Sequence, residues 1–255
     1  MSKINAVRLI NVNYNNNAYR ISDETLYFNG ESTLISLQNG GGKSVLVQML
    51  TAPFVHPRYR NTKDRLFESY FTTNKPSFIL VEWALDQGAG YVLTGLMVRK
   101  SQDMEEDRKE NLDIIGIVSE YQSPCIQDIH HLPVVEKGKK EMILKNFNSC
   151  RQLFETYKKD RDMKFFYYDL TNYAQSRQYF DKLMEYQINY KEWETIIKKI
   201  NLKESGLSDL FADCRDEKGL TEKWFLEAIE SKLNKDKNRI KEFQSILEKY
   251  AGQYK

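Results

Sequence analysis

The sequence predicts an α/β fold in which an antiparallel β region is followed by a mostly helical region and a C-terminal coiled coil. Three observations support this fold class. A glycine-rich loop lies between a strand-like run at 33–37 and a helix-like run at 45–50. Runs rich in β-branched and aromatic residues follow at 78–85, 91–98 and 112–121, which predicts an antiparallel meander. Near the C-terminus, apolar residues recur every three or four positions, as in a helix that pairs with another helix.

The residues before the glycine-rich loop are expected to be β structure. Apolar residues are frequent in 4–12, which predicts a first strand. Asn29 and Gly30 lie between strand-like runs at 25–28 and 31–35. Because both residues tolerate positive φ, we predict a hairpin turn at this pair.

The composition indicates a globular protein, since 41% of the residues are hydrophobic and 29% are charged. The formal net charge of +2 neither favours nor excludes nucleic acid, so any DNA contact would have to be local. Three widely spaced cysteines, Cys125, Cys150 and Cys214, show neither metal-ligand nor disulfide spacing, which predicts reduced cytosolic thiols that pack in the fold. We expect no export signal in the polar segment 1–19 and no membrane span.

Residues 38–44 have the sequence Gln-Asn-Gly-Gly-Gly-Lys-Ser, which is typical of a phosphate-binding loop. Glycines let backbone N–H groups surround phosphate oxygens, and the start of the next helix adds the positive end of its dipole. Lys43 is expected to reach the β- and γ-phosphates of ATP, and the Ser44 hydroxyl to bind Mg²⁺. The pattern G-x-x-x-x-G-K-[ST] is met except at its first glycine, where Leu37 stands. The predicted nucleotide-binding residues are Asn39, Gly40, Gly41, Gly42, Lys43, Ser44 and Val45.

The alternative interpretation of this loop is a flexible glycine turn beside a solvated lysine.

The helix after the loop should end near Thr51, because Pro53 disfavours its continuation. From about Met142 the pattern becomes mostly helical, and 137–164 is rich in lysine and arginine. Because acids are interleaved there, a solvated helix face is favoured over a nucleic-acid site.

The last segment has the spacing of a heptad seam. Seven of its eight a/d positions are apolar, and the flanking residues are rich in Lys and Glu. An ordinary amphipathic helix that packs on its own domain is the alternative to a coiled coil. The a/d positions are Leu226, Ile229, Leu233, Asp236, Ile240, Phe243, Leu247 and Tyr250.

The order of these parts resembles the N-terminal half of the ATPase head of structural-maintenance-of-chromosomes (SMC) proteins and their bacterial relatives, including MukB-, SbcC- and JetC-like ATPases. Two stretches carry the resemblance at the level of residues. One is 4–11, Ile-Asn-Ala-Val-Arg-Leu-Ile-Asn, and the other is 39–44, Asn-Gly-Gly-Gly-Lys-Ser. The resemblance implies a P-loop NTPase fold of the ABC/SMC-head type, with a head half at 1–221 and a coiled-coil root at 222–255.

The resemblance also implies cofactors and partners. ATP and Mg²⁺ would bind at a composite site that needs the protein's own C-terminal half-head and a second head, in a homodimer. This segment alone would be inactive and would hold no catalytic residue. Family heads carry a glutamine-containing loop near the metal, and the stretch 195–207 is its counterpart here, with Asn201 near the position of the glutamine. Glu82 ends a strand-like run, but we interpret it as an outward hairpin residue and not as a catalytic acid.

Family members act on DNA in the cytoplasm, at the nucleoid, and some have kleisin- or nuclease-type accessory subunits. The resemblance therefore implies chromosome segregation, DNA repair, or anti-plasmid and anti-phage defence, and the loop variant looks closer to the divergent defence-type relatives than to housekeeping SMC proteins. DNA-contact candidates are Arg58, Arg60, Lys63 and Arg65, and the stretch 137–164. A self-contained P-loop kinase or GTPase, and a non-catalytic coiled-coil scaffold with a vestigial loop, are the alternatives.

Overall fold

The computed structural model describes residues 2–14, 17–36, 38, 41–62, 65–101, 111–137 and 142–201. The chain divides into two compact units, residues 1–198 and 199–255. Of the second unit, the described part is 199–201, at the end of a helix. The predicted boundary between residues 221 and 222, the heptad segment 226–250 and Cys214 lie outside the described residues, so the coiled coil stays a prediction.

Eight strands and five helices can be assigned within the described residues. The strands are β1 Lys3–Tyr14, β2 Tyr19–Tyr27, β3 Ser77–Ala84, β4 Tyr91–Lys100, β5 Leu112–Tyr121, β6 Val135–Lys137, β7 Met142–Leu144 and β8 Lys164–Asp169. The helices are α1 Lys43–Thr51, α2 Pro57–Arg60, α3 Phe147–Lys159, α4 Tyr173–Glu185 and α5 Tyr190–Asn201. Short 3₁₀ turns occupy Ala52–Phe54, Phe67–Tyr70 and Asp86–Gly88.

Six strands form one sheet in the order β2-β1-β3-β4-β5-β8, and every neighbouring pair is antiparallel. β6 and β7 form a separate two-stranded ribbon. The predicted α/β class is confirmed at the level of mixed helices and an antiparallel sheet. The predicted strands at 78–85, 91–98 and 112–121 are confirmed as β3, β4 and β5.

The inner strands of the sheet are buried on both faces, and their successive side chains point to opposite sides. On β3, Ile79 and Val81 enter one hydrophobic core and Phe78 and Leu80 enter the other. Side chains of α1 and α4 cover the first face, together with partly buried residues of α5. Side chains of α3 cover the second face.

The strands predicted at 31–35 and at 33–37, before the glycine-rich loop, are wrong. Residues 32–36 have no regular secondary structure and are exposed. Asn29 and Gly30 do adopt positive φ, at 52° and 70°, and the Glu31 N–H donates to the Phe28 carbonyl at 2.9 Å. The turn is therefore confirmed, but no strand follows it among the described residues. Instead, β2 pairs with β1, from Ala6 opposite Tyr27 onwards.

The prediction of a mostly helical region from Met142 is only partly confirmed. It contains α3, α4 and α5, but also β7 and β8. β8 carries four consecutive aromatic residues, Phe165 to Tyr168, and this is the sequence signal that could have identified it. α1 ends at Thr51 as predicted, and the chain continues into the 3₁₀ turn Ala52–Phe54.

The two described cysteines are free thiols, in agreement with the sequence prediction. Cys150 is fully buried, and burial raises the pKa of its thiol to about 12. Cys125 is half-buried, and burial also raises the pKa of its thiol. Within the described ranges, no helix is long and apolar enough to cross a membrane.

A glycine on β5 allows close packing between the sheet and α4. A Cβ placed on Gly116 would lie 2.7 Å from the ring of Tyr179 and 3.1 Å from the Leu170 side chain. The buried Tyr179 hydroxyl donates to the Pro53 carbonyl at 3.1 Å. Because Gly116 has no side chain, the Tyr179 ring of α4 can lie directly on the sheet while its hydroxyl binds the 3₁₀ turn after α1.

Candidate phosphate-binding site

The backbone at the start of α1 adopts a conformation suited to glycine. Gly42, directly before the helix, has φ 84° and ψ 17°, in the left-handed region. The Leu46 N–H donates to the Gly42 carbonyl at 2.9 Å, and the Gly41 N–H donates to the Gln38 carbonyl at 2.9 Å. The predicted site residues Asn39 and Gly40 lie outside the described residues.

The start of α1 has the electrostatics of an anion site. Among the described residues, no side chain caps this helix start, and its first turn contains no acid. The first N–H groups of a helix lack intrahelical acceptors, and they lie at the positive end of the helix dipole. A phosphate placed there would accept these hydrogen bonds, so the geometry fits an anionic ligand.

Two polar side chains predicted for the site lie at this helix start. Lys43 and Ser44 are exposed, and Lys43 Nζ donates to the Gln38 carbonyl at 3.3 Å. Val45 is 2% exposed and packs in the core, so it can offer a ligand its backbone N–H but not its side chain. The exposed Ser44 hydroxyl is available to a cation, and the described residues contain no cluster of His, Cys, Asp or Glu suited to a metal ion.

A cavity of about 310 Å³ opens beside Lys43. Its walls are mostly apolar, and Lys43 supplies the charge among the described residues that line it. Leu34 next to it is 96% exposed, and Val47 is 44% exposed. The lining residues are Val7, Phe28, Thr33, Ile35, Lys43, Leu46, Val47 and Leu50.

An aromatic pair that the sequence did not reveal lies beside Gly42. The Tyr14 ring is 3.6 Å from the position that a Cβ would take on Gly42. Tyr14 stacks on Tyr19 with ring centroids 5.3 Å apart. Both residues flank the β1–β2 connection, 24 or more positions before Lys43, so no local motif connects them to the loop.

The opposite end of α1 is held by buried donors. Arg60 Nε donates to the Ala52 carbonyl at 3.2 Å, and Gln48 Nε2 donates to the Arg60 carbonyl at 2.7 Å. The Tyr70 hydroxyl donates to Gln48 Oε1 at 2.6 Å. A cation near the C-terminal end of a helix also complements its dipole. The two ends of α1 therefore differ, since a buried guanidinium donates to the Ala52 carbonyl directly after the helix, while no described side chain caps the first N–H groups.

The structure corrects one DNA-contact prediction. Arg60 is 2% exposed, so its guanidinium cannot reach a phosphate backbone from this position. Arg58 and Arg65 are exposed, and Lys63 lies outside the described residues. In the stretch 137–164, three lysines lie within salt-bridge distance of acids, as the interleaving of acids predicts, but one of them precedes α3, one lies on α3 and one lies on β8. They are Lys145, Lys159 and Lys164.

The structure shows that the interpretation of Glu82 as an outward residue is wrong, and it places Asn201 in a helix. Glu82 is 5% exposed on β3, where Asn5 Nδ2 donates to its carboxylate at 2.6 Å and the Tyr121 hydroxyl donates to the other oxygen. Burial, and the Glu82 carboxylate, raise the pKa of Tyr121. Asn201 is the last residue of α5, so 195–201 is helical and not a loop, and its side chain lies outside the described residues.

The comparisons with known proteins do not extend this picture. No protein-family model matches the sequence, and no curated protein matches it significantly.

Proposed function

We propose that this chain is the ATP-binding N-terminal half of an SMC-like ATPase head, which uses ATP-driven head engagement to act on DNA. The observation that carries the proposal is the start of α1. A left-handed Gly42 leads into exposed Lys43 and Ser44, at a helix end with no acid in its first turn and no described side-chain cap. That combination favours a ligand with several adjacent negative charges, such as a chain of phosphates.

In this proposal each residue has a simple role. The N–H groups of the first turn of α1 donate to phosphate oxygens, and Gly42 provides the left-handed backbone that leads into this turn. Lys43 exchanges its hydrogen bond with the Gln38 carbonyl for a contact with the β- and γ-phosphates. Ser44 holds the Mg²⁺ ion, which neutralises phosphate charge when it is bound.

The exposed apolar segment before the loop supports the proposal that another part of the protein packs against it. Residues 33–35 are Thr-Leu-Ile, which have high strand propensity, yet they are unpaired and Leu34 is 96% exposed. Together with Val47 and the cavity beside Lys43, they form an apolar surface of the kind that protein interfaces cover. We propose that the C-terminal half-head covers this surface, and that a second head completes the ATP site.

The Lys43→Ala variant tests the nucleotide site. Loss of the point charge should weaken binding of labelled ATP to the full-length protein at least tenfold, or about 1.4 kcal/mol. Titration monitored by fluorescence anisotropy measures this. Lys159→Ala, on α3 at the other face of the sheet, is the matched control and should bind like the wild type. Equal affinity of Lys43→Ala and Lys159→Ala would exclude the assignment.

DNA binding is expected to be independent of sequence and sensitive to salt. Arg58 and Arg65 are the exposed candidates, and each phosphate contact that they make contributes about 0.9 to the slope of log K against log salt. Titrations of duplex DNA at several salt concentrations should show a smaller slope for Arg58→Ala or Arg65→Ala than for the wild type. Arg177→Ala, on α4, serves as the control. Binding that does not change with salt would contradict the proposal.

A further inference from the structure

α5 is fastened to the residues that follow α1 by one carboxylate. Glu194 Oε1 accepts the backbone N–H of His56 at 3.0 Å and also contacts Nδ1 of the same histidine. The Glu194 side chain is 11% exposed. The His56 ring stacks on Phe180 with centroids 4.0 Å apart, and the Tyr190 ring meets it edge-on at 5.3 Å. His56 is thus held between α4 and α5.

An aromatic contact reinforces this attachment. The Trp193 ring lies 5.4 Å from the Phe54 ring and 6.4 Å from the Trp83 ring. Phe54 itself packs edge-on against Trp83 at 5.0 Å and is fully buried. Aromatic pairs at such distances stabilise packing beyond the area that they bury. We call the contacts of His56 with Glu194 and of Phe54 with Trp193 the α5 clasp.

Phe54 of the clasp and Lys43 of the phosphate site lie at opposite ends of one helical rod, residues 43–54, and His56 follows this rod after the extended residue Val55. The Ala52 N–H donates to the carbonyls of Gln48 and Met49, so the 3₁₀ turn continues α1 without a break. Met49 and Ala52 on this rod are fully buried. From the nine residues of α1 and the three of the turn, the rod is about 20 Å long. A packed rod of this length moves as a unit, since bending it would open the core.

We propose that docking of α5 through this clasp is coupled to phosphate binding at Lys43 and Ser44. The inference rests on the proposed function and adds a regulatory link to the same site. A bound phosphate orders the start of α1 and so fixes the rod, which presents His56 and Phe54 to α5 in their docked positions. The ordering cost is then shared between the two events, and this gives positive coupling without a large structural change. Because coupling is reciprocal, loosening of α5 weakens phosphate binding by the same factor.

Hydrogen exchange of the full-length protein, measured with and without ATP, tests the coupling. In the wild type, ATP should slow amide exchange within 190–197 at least about fivefold. Glu194→Gln should lose most of this response and bind ATP more weakly by a similar factor. Glu192→Gln, an exposed change on the same helix, should keep both. Trp193→Phe is a second variant of the clasp, which replaces Glu194→Gln in the test if that variant does not fold. It should also reduce the response of 190–197 to ATP.

The outcomes separate the inference from the function on which it rests. If the wild type binds ATP but exchange within 190–197 does not change, the coupling is wrong and the nucleotide site stands. If Glu194→Gln loosens α5 while its ATP affinity equals that of the wild type, the coupling is also wrong. If the wild type does not bind ATP at all, both proposals fail.

Discussion

Replacing Phe54 with alanine is expected to lower the free energy of unfolding by about 3–5 kcal/mol, because the change removes a buried ring and leaves a cavity. Phe54 has no exposed surface and packs against Trp83 and Trp193. It lies on the short turn after α1, where backbone hydrogen bonds and core packing leave the neighbouring side chains little freedom to fill the space. Chemical denaturation of the full chain, followed by tryptophan fluorescence, measures the loss.

The control for this change is an aromatic residue of similar size on the surface. Tyr173 is 84% exposed at the start of α4, so Tyr173→Ala should change the free energy of unfolding by no more than about 0.5 kcal/mol. A loss below 1 kcal/mol for Phe54→Ala would show that this aromatic cluster does not contribute to the core as the packing indicates.

Gly116→Ala is the second large effect, with an expected loss of about 1–3 kcal/mol from overpacking. The new Cβ would lie 2.7 Å from the Tyr179 ring. That ring is fully buried, and its hydroxyl is hydrogen-bonded to the Pro53 carbonyl, so it cannot move aside without losing the bond. Thermal or denaturant unfolding of the full chain measures the cost.

A double-mutant cycle identifies the cause of this effect. Tyr179→Leu removes the ring that the added methyl group would strike, so Gly116→Ala should cost less in that background than in the wild type. Equal costs in both backgrounds would place the strain elsewhere on β5.

The sequence predicted well those strands whose signal is local. β5 was expected at 112–121 and has these bounds, because a run such as Ile114 to Val118 stays apolar on both faces of a buried strand. The run 33–37 has equal strand propensity, but a strand needs a partner, and propensity does not report whether one is present. β8 was missed because the surrounding lysines and tyrosines favoured a helical interpretation.

The candidate site was predictable where one residue type determines the backbone. Gly42 adopts the left-handed conformation that its position before α1 requires. The surroundings of the site were not predictable, because they come from distant parts of the chain. Tyr14 reaches the loop from the end of β1, Arg60 reaches the end of α1 from α2, and Glu194 reaches His56 from α5. No spacing rule connects such residues.

The position of β1 between β2 and β3 has a kinetic consequence. β1 pairs with β2 across a short connection. It pairs with β3 only when Leu9 comes to lie opposite Ile79, and this pairing closes the long segment that contains α1. A nine-residue helix is too short to be stable alone in water, so α1 must wait for the sheet on which it packs. Closing the segment between β1 and β3 also costs chain entropy, which must be lost before the contacts between the two strands form. We therefore expect the chain to acquire α1 late, at a rate set by the pairing of two strands that lie far apart in sequence.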